Sequence, residues 1–289
     1  MNDQIRTLAK KLLAEEKVTA VLGWEKGFPW FKRAPLFAMT EEECDALVFD
    51  EFCYHNLPKM LLRNEDIKGT VAVFVKGCDS RALKTMLQDH QLERENLYII
   101  GLPCMGMKEE PAVGTAEGTP LADAKKCAFC VVPNAVIYDE FLGQPAAERT
   151  PQPDEELQRV EAMTQDEKYA FWHGAFAQCI RCFGCRNICP VCSCRECCFD
   201  DQSIWLDKGE EITDNSFYHL TRAMHMAGRC VECGECQRVC PQGLPVMLLN
   251  RKLNREIETL FPEEAAAGTS DESQGALKTF RLDDPEEFM

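Results

Sequence analysis

The chain has 289 residues, 45% of them apolar and 28% charged, the balance of a folded protein with room for two domains of ordinary size. Its 32 basic and 48 acidic residues leave a net charge of −16, spread along the whole length, which disfavours binding to a phosphodiester backbone. No run reaches the ~18 apolar residues of a membrane-spanning helix, and MNDQIRTLAKKLLAEEK lacks the apolar core and small-residue cleavage site of a secretory signal, so a reducing cytoplasm without direct membrane insertion is expected.

Ile5, Leu8, Leu12 and Leu13 recur at helical spacing over 4–16, and VTAVLG at 18–23 reads as a buried strand ending at Gly23. VAVFV at 71–75 predicts a second strand, KGCDS a tight turn, and 81–90 a helix with Leu83, Met86 and Leu87 on one face. NLYIIGLPC at 96–104 repeats the switch from strand to loop, so 71–104 forms a βαβ unit with parallel strands. That places Cys78 and Cys104 at one sheet edge, where open parallel sheets collect ligands; Cys78 taken alone also suits a small packed residue. The stretch 109–120 reads as a loop and 143–156 as a linker, with a domain boundary near 150. A bent or split helix follows over 154–177. SFYHLTRAMHMAG predicts another, on which His219 and His225 read as packing or surface residues. Met247, Leu248, Leu253, Ile257 and Leu260 mark the apolar stripe of a last helix over 245–261, and 262–289 is an acidic tail, disordered in isolation or docked to a partner.

Eighteen cysteines dominate the composition, twelve of them between 179 and 240. Cys179-x2-Cys182-x2-Cys185-x3-Cys189-Pro190 recurs at an offset of 51 as Cys230-x2-Cys233-x2-Cys236-x3-Cys240-Pro241. Three closely spaced thiolates cap one side of a cuboidal cluster, and the fourth, carried away by the helix that follows, serves the other cluster. The spacing therefore assigns Cys179, Cys182, Cys185 and Cys240 to one 4Fe-4S cluster, and Cys230, Cys233, Cys236 and Cys189 to a second. Zinc is the alternative, though zinc ribbons offer two separated Cys-x2-Cys pairs, and a redox-inert ion leaves the doubling without a purpose. Between the repeats, Cys192, Cys194, Cys197 and Cys198 add four thiols in seven residues, too tightly spaced for all to serve one metal; one of Cys194 or Cys197 is expected to complete a third cluster with Cys104, Cys127 and Cys130. Cys78, Cys192, Cys198 and Cys53 remain as ligands for a fourth, while Cys44 reads as core packing.

The combination VKGCDSRAL, GLPCMGM, KCAFC, CIRCFGCRNICPVCSCREC and AGRCVECGECQRVCP, spanning about 18–255, resembles the beta subunit of formate dehydrogenases and deazaflavin-reducing hydrogenases, proteins also associated with heterodisulfide-reductase-type modules. The resemblance implies FAD in the N-terminal part, with Lys76, Gly77, Cys78, Asp79, Ser80 and Arg81 at the flavin or cluster edge, although no Gly-x-Gly-x-x-Gly fingerprint follows a predicted strand. The expected fold is an α/β (α+β) domain with a short parallel-type sheet over 1–150, followed by a mostly helical, ferredoxin-like two-cluster domain over 151–261. The expected role is electron relay inside a multi-subunit oxidoreductase, partnered by other subunits of a formate dehydrogenase, hydrogenase or heterodisulfide-reductase-type complex. The alternatives are a catalytic subunit exchanging hydride between its flavin and a soluble deazaflavin or nicotinamide, and a non-redox zinc or cluster scaffold.

Overall fold

A computed structural model describes residues 1–62, 67–150, 152–200 and 211–261, so the acidic tail expected over 262–289 lies outside the described residues. The N-terminal part is built on a mixed sheet of order β2-β1-β4-β5-β6. Strand β1 (Ala20–Lys26) pairs antiparallel with β2 (Arg33–Ala38) and β3 (Leu47–Val48), while β4 (Val71–Val75), β5 (Leu97–Gly101) and β6 (Glu140–Phe141) run parallel beyond it. All five side chains of β4 are buried, as suits a central strand covered on both faces. Helix α1 (Asn2–Ala14) turns Ile5, Leu8, Ala9 and Leu12 inward, and its Arg6 donates to the Leu47 carbonyl at 2.9 Å.

Two boundaries differ from the sequence reading. Gly23 does not end β1 but lies inside it, because a Cβ there would stand 2.5 Å from Leu47 Cδ2; glycine serves close packing rather than a stop. The KGCDS turn is the first turn of helix α3 (Gly77–Gln88), which starts four residues before Arg81 because the Asp79 carboxylate accepts the Lys76 N–H at 3.0 Å. Cys78 therefore sits on a helix N-terminus at the carboxyl end of β4. A short helix α2 (Pro58–Leu61) precedes it in the chain.

The helix expected over 154–177 is split. Asp154 caps α4 (Glu155–Glu161) by accepting from Leu157 N, and Thr164 caps α5 (Gln165–Ala177) in a reciprocal pair with Glu167. Short α6 (Gly184–Asn187), then α7 (Ile212–Met226), short α8 (Glu235–Arg238) and α9 (Val246–Leu260) complete the helical C-terminal region. The large apolar core belongs to the sheet; the helices share only small clusters with cysteines built into them, such as Cys236 among Leu244, Val246 and Met247. The two regions are joined by polar contacts: Lys126 to Glu235 at 2.6 Å, Arg229 Nε to Asp89 at 2.8 Å, Arg81 to the Val231 carbonyl at 3.3 Å, and Arg251 over the Phe129 ring at 3.9 Å.

Candidate cluster sites

The sequence repeat is also a backbone repeat. Arg181 and Phe183 have φ of +50° and +56°, and Glu232 and Gly234, 51 residues on, have +54° and +71°. Helices α6 and α8 follow each pair at the same offset. The left-handed residues curl each Cys-x2-Cys-x2-Cys loop so that backbone N–H groups face sulfur: Arg181 N lies 3.4 Å from Cys179 Sγ, Glu232 N donates to Cys230, and Leu244 N lies 3.4 Å from Cys240 Sγ. Donors aimed at sulfur are what tune a thiolate-bound cluster. Gly234 replaces Phe183 in the second loop because a Cβ there would come within 2.6 Å of Lys126 Cβ.

Cys179 lies in the field of Cys182, Cys185 and Cys240. Cys230, Cys233, Cys236 and Cys189 likewise face one another, so each repeat lends its fourth cysteine to the other's group. Burial pushes the Cys236 thiol up to about 12, with Cys189 and Cys185 adding to it against Arg222, and burial also raises Cys230 and Cys233. Crowded buried thiols of this kind stay protonated until a cation among them favours the thiolate. Among the described residues no three His, Cys, Asp or Glu side chains close tightly enough to hold a single ion. A cuboidal cluster, whose iron and sulfide occupy the space between its ligands, asks for a wider ring of thiols.

A third group forms at the carboxyl ends of β4 and β5. Cys104 faces Cys127 and Cys130, and Cys78 faces Cys104, all lining a cavity of about 140 Å³. Cys78, expected with Cys104 at this sheet edge, lines the cavity together with Cys104, Cys127 and Cys130, while Cys194 and Cys197, one of which was expected to join them, line a separate recess with Cys192 and Cys198. Cys78 is also a neighbour of Cys233, and Cys236 of Cys185, so the three groups follow one another without a gap. Cys53 joins none of them; it is buried in the core, where its Sγ accepts from Asp50 N at 3.4 Å and burial raises its thiol to about 12. Cys44 is buried in the same core.

Of the residues expected at a flavin edge, Lys76, Gly77, Cys78 and Arg81 line the 140 Å³ cavity. Lys76 Nζ lies 2.7 Å from Asp79 and 4.1 Å from the centre of the Trp24 ring, and Ser80 Oγ donates to Gly77 O and accepts from Val136 N. The Lys76 ammonium and the Ser80 hydroxyl are held by these partners, one Asp79 oxygen is buried without a hydrogen bond, and the cavity is smaller than the roughly 300–1,000 Å³ of small-molecule pockets.

Three buried residues of these sites carry no motif. Arg222 is 4% exposed, donates to Cys185 O at 3.0 Å, and stands in the field of Cys236, Cys189 and Cys185. Burial opposes the charge on Lys126, but Glu235 and the Cys78 and Cys127 thiols hold it charged beside the third cavity. Burial by itself would raise the Glu235 carboxyl; Lys126 and Arg238 outweigh it and hold it at about 2. The signal for Arg222 was present in the sequence as a lone cation in line with Tyr218 and Met226 at helical spacing, both of which touch sulfur: Tyr218 OH lies 3.4 Å from Cys185 Sγ, and Met226 Sδ 3.9 Å from Cys189 Sγ. His219 is buried against Phe176 and pushed down to about 4 by burial, with Arg222 and Arg181 adding to it, which makes it a neutral packing residue.

A mixed α/β sheet with thiols at its ligand edge, joined to a helical region built around a repeated cysteine loop, defines a class of thiol-rich two-part proteins whose cysteines form consecutive groups. No family model matches the sequence. Curated relatives do, among them the F420-dependent formate dehydrogenase subunit beta of Methanocaldococcus jannaschii, 22% identical over 88% of this chain and 88% of that protein, and the F420-dependent formate dehydrogenase 1 subunit beta of Methanococcus maripaludis, 23% identical over 77% and 80%. These are the formate dehydrogenase beta subunits that the motifs resemble.

Proposed function

We propose that the chain is an electron-relay subunit of a cytoplasmic formate dehydrogenase-type complex, made of a sheet unit over 1–150 and a ferredoxin-like unit over 151–261. The carrying observation is the continuity of three thiol groups, from Cys78, Cys104, Cys127 and Cys130, through Cys230, Cys233, Cys236 and Cys189, to Cys179, Cys182, Cys185 and Cys240. Bound there, 4Fe-4S clusters supply one-electron transfer. The chain's own residues do the rest: the thiols fix the groups in sequence, the repeated N–H donors set the polarity around sulfur, and Arg222, Lys76 and Lys126 offset negative charge that burial otherwise penalises. Among the described residues no helix is long and apolar enough to cross a membrane, and other subunits of the complex are the expected partners.

The test is native mass spectrometry of the anaerobically purified chain. The proposal expects intact clusters in the wild type and the loss of one in Cys185→Ser. An unchanged iron and sulfide content in that variant refutes the ligand assignment, and stoichiometric zinc in place of iron refutes the relay.

A second reading is favoured by one feature, a groove of about 990 Å³ beside Lys126, lined by Tyr54 and Phe129 and by Lys32 and Lys125. The aromatic faces suit a flavin ring and Lys125 its phosphates, with Lys32 paired to Glu110 and Glu109 and Glu156 on the same walls, and a flavin there would make the subunit a hydride-to-electron converter. Flavin released on denaturation, at one per chain, supports this reading; its absence from a fully iron-loaded preparation refutes it.

A further inference from the structure

The segment between the two cysteine repeats holds four thiols that none of the three groups uses. Cys192, Cys194, Cys197 and Cys198 all line one recess of about 350 Å³, closed on its far side by α7. The Cys192 thiol lies in the field of Cys189 and Cys194, and the Cys198 thiol is hydrogen-bonded to Cys197 with Cys194 beside it. The loop carrying them is anchored from outside: Lys59 Nζ donates to the Cys192 carbonyl at 2.5 Å, and Arg229 reaches Ser193 Oγ at 3.4 Å while bound to Asp89. Three guanidinium groups border the recess, those of Arg186, which donates to Cys197, and of Arg222 and Arg229.

We propose that Cys192, Cys194, Cys197 and Cys198 bind a fourth iron–sulfur cluster, next to the group completed by Cys189. The inference rests on the relay reading above and extends it by one station. An all-thiol donor set selects soft metals and iron–sulfur clusters over hard cations. The recess is larger than a single ion needs, and the thiols line it without closing on one point. Arg222 on the recess wall opposes the negative charge of a group held by four thiolates, each of which gives up its proton on ligation, while Arg186 and Arg229 beside it are paired with Asp200 and Asp89 and Glu196 lies on the same wall. Cys194 and Cys198 are exposed, so this site branches from the middle group towards solvent, within reach of a partner subunit.

The experiment compares the full wild-type chain with Cys194→Ser/Cys198→Ser by anaerobic native mass spectrometry, together with iodoacetamide labelling of the native wild type. The wild type is expected to carry one cluster more than the three groups account for, and the double variant to lose that cluster alone. In labelling, the four loop cysteines are expected to resist alkylation until iron is chelated. Equal masses of bound iron and sulfide in wild type and variant, one zinc in the loop, or a Cys197–Cys198 disulfide in the native protein each overturn the fourth site. Labelling confined to the loop, with the repeat cysteines protected, overturns it while leaving the relay intact; labelling of repeats and loop together, without iron, overturns the relay itself. The labelling arm reads the wild type and so holds even where the double variant fails to fold.

Discussion

Replacing Gly77 by alanine puts the third thiol group to the sharpest test. A Cβ on Gly77 would lie 1.8 Å from the Val132 carbonyl oxygen and 2.9 Å from that of Asn134, both backbone atoms that no rotamer change can move. Restoring a tolerable 3.0 Å requires the Val132 carbonyl to retreat by about 1.2 Å. That carbonyl lies 3.7 Å from Cys130 Sγ, and Gly77 itself precedes Cys78, so the retreat drives two members of one group apart. Metal–ligand distances tolerate only about 0.2 Å, so the group at Cys78, Cys104, Cys127 and Cys130 should not hold its cluster, while overpacking by itself costs roughly 1–3 kcal/mol. Native mass spectrometry should show one cluster lost and those of the repeats kept, with a melting temperature lower by a few degrees. Gly174→Ala is the control: it lies inside α5 with nothing within 4 Å of the added Cβ, and should stabilise the chain by about 0.5–1 kcal/mol with no loss of iron. A Gly77→Ala protein with a full cluster complement and wild-type stability would refute the close approach of α3 to the 130–134 segment and the ligand group built on it.

Lys126→Met should destabilise the chain by about 3 kcal/mol, the lower end for breaking a buried ion pair, because Arg238 still donates to both Glu235 oxygens at 2.8 Å; Glu235→Gln added to it should recover part of the loss, and additive effects in chemical denaturation would contradict the coupling. Asp154→Ala removes the cap of α4 and strips Arg251 of a carboxylate at 3.0 Å, at a cost of about 2–4 kcal/mol read by thermal melting, where a change under 1 kcal/mol would argue against the buried pair. Anaerobic iron chelation should unfold the helical region before the sheet, seen as loss of helical circular dichroism while protease resistance of 1–100 persists; a single cooperative melt unaffected by chelation would mean that the small apolar clusters hold the helices by themselves.

The sequence by itself determined the parts with a local grammar. Alternation and apolar runs named the strands at 71–75 and 97–101 and the last helix, since burial on both faces of a parallel strand leaves a run of Val, Ile and Phe. The offset of 51 between the cysteine runs gave the repeated cysteine loop, and the structure adds its backbone form, matched left-handed turns each followed by a short helix. Other features depended on parts of the chain that meet only on folding. The sequence put Cys78 and Cys104 at one sheet edge and Cys104 with Cys127 and Cys130 in one site, but that all four line one cavity follows from the packing of the loop at 127–130 over that edge, which residue spacing does not express. The loop cysteines were divided between two sites on the argument that four thiols in seven residues cannot share one, yet the turn at 192–198 brings them to one recess. Lys126 and Glu235 were invisible as functional residues for the same reason, and Arg222 had only its alignment with Tyr218 and Met226 to mark it: a charge reads as a solvated surface group until its neighbours are known, and here those neighbours are buried thiols and an opposite charge. Chemistry carried by residue type and short spacing was thus legible in the chain, down to the exchange of Cys189 and Cys240 between the repeats, whereas charge compensation and the place of Cys78 among Cys104, Cys127 and Cys130 were decided by tertiary packing, which alone fixes what stands across a cavity.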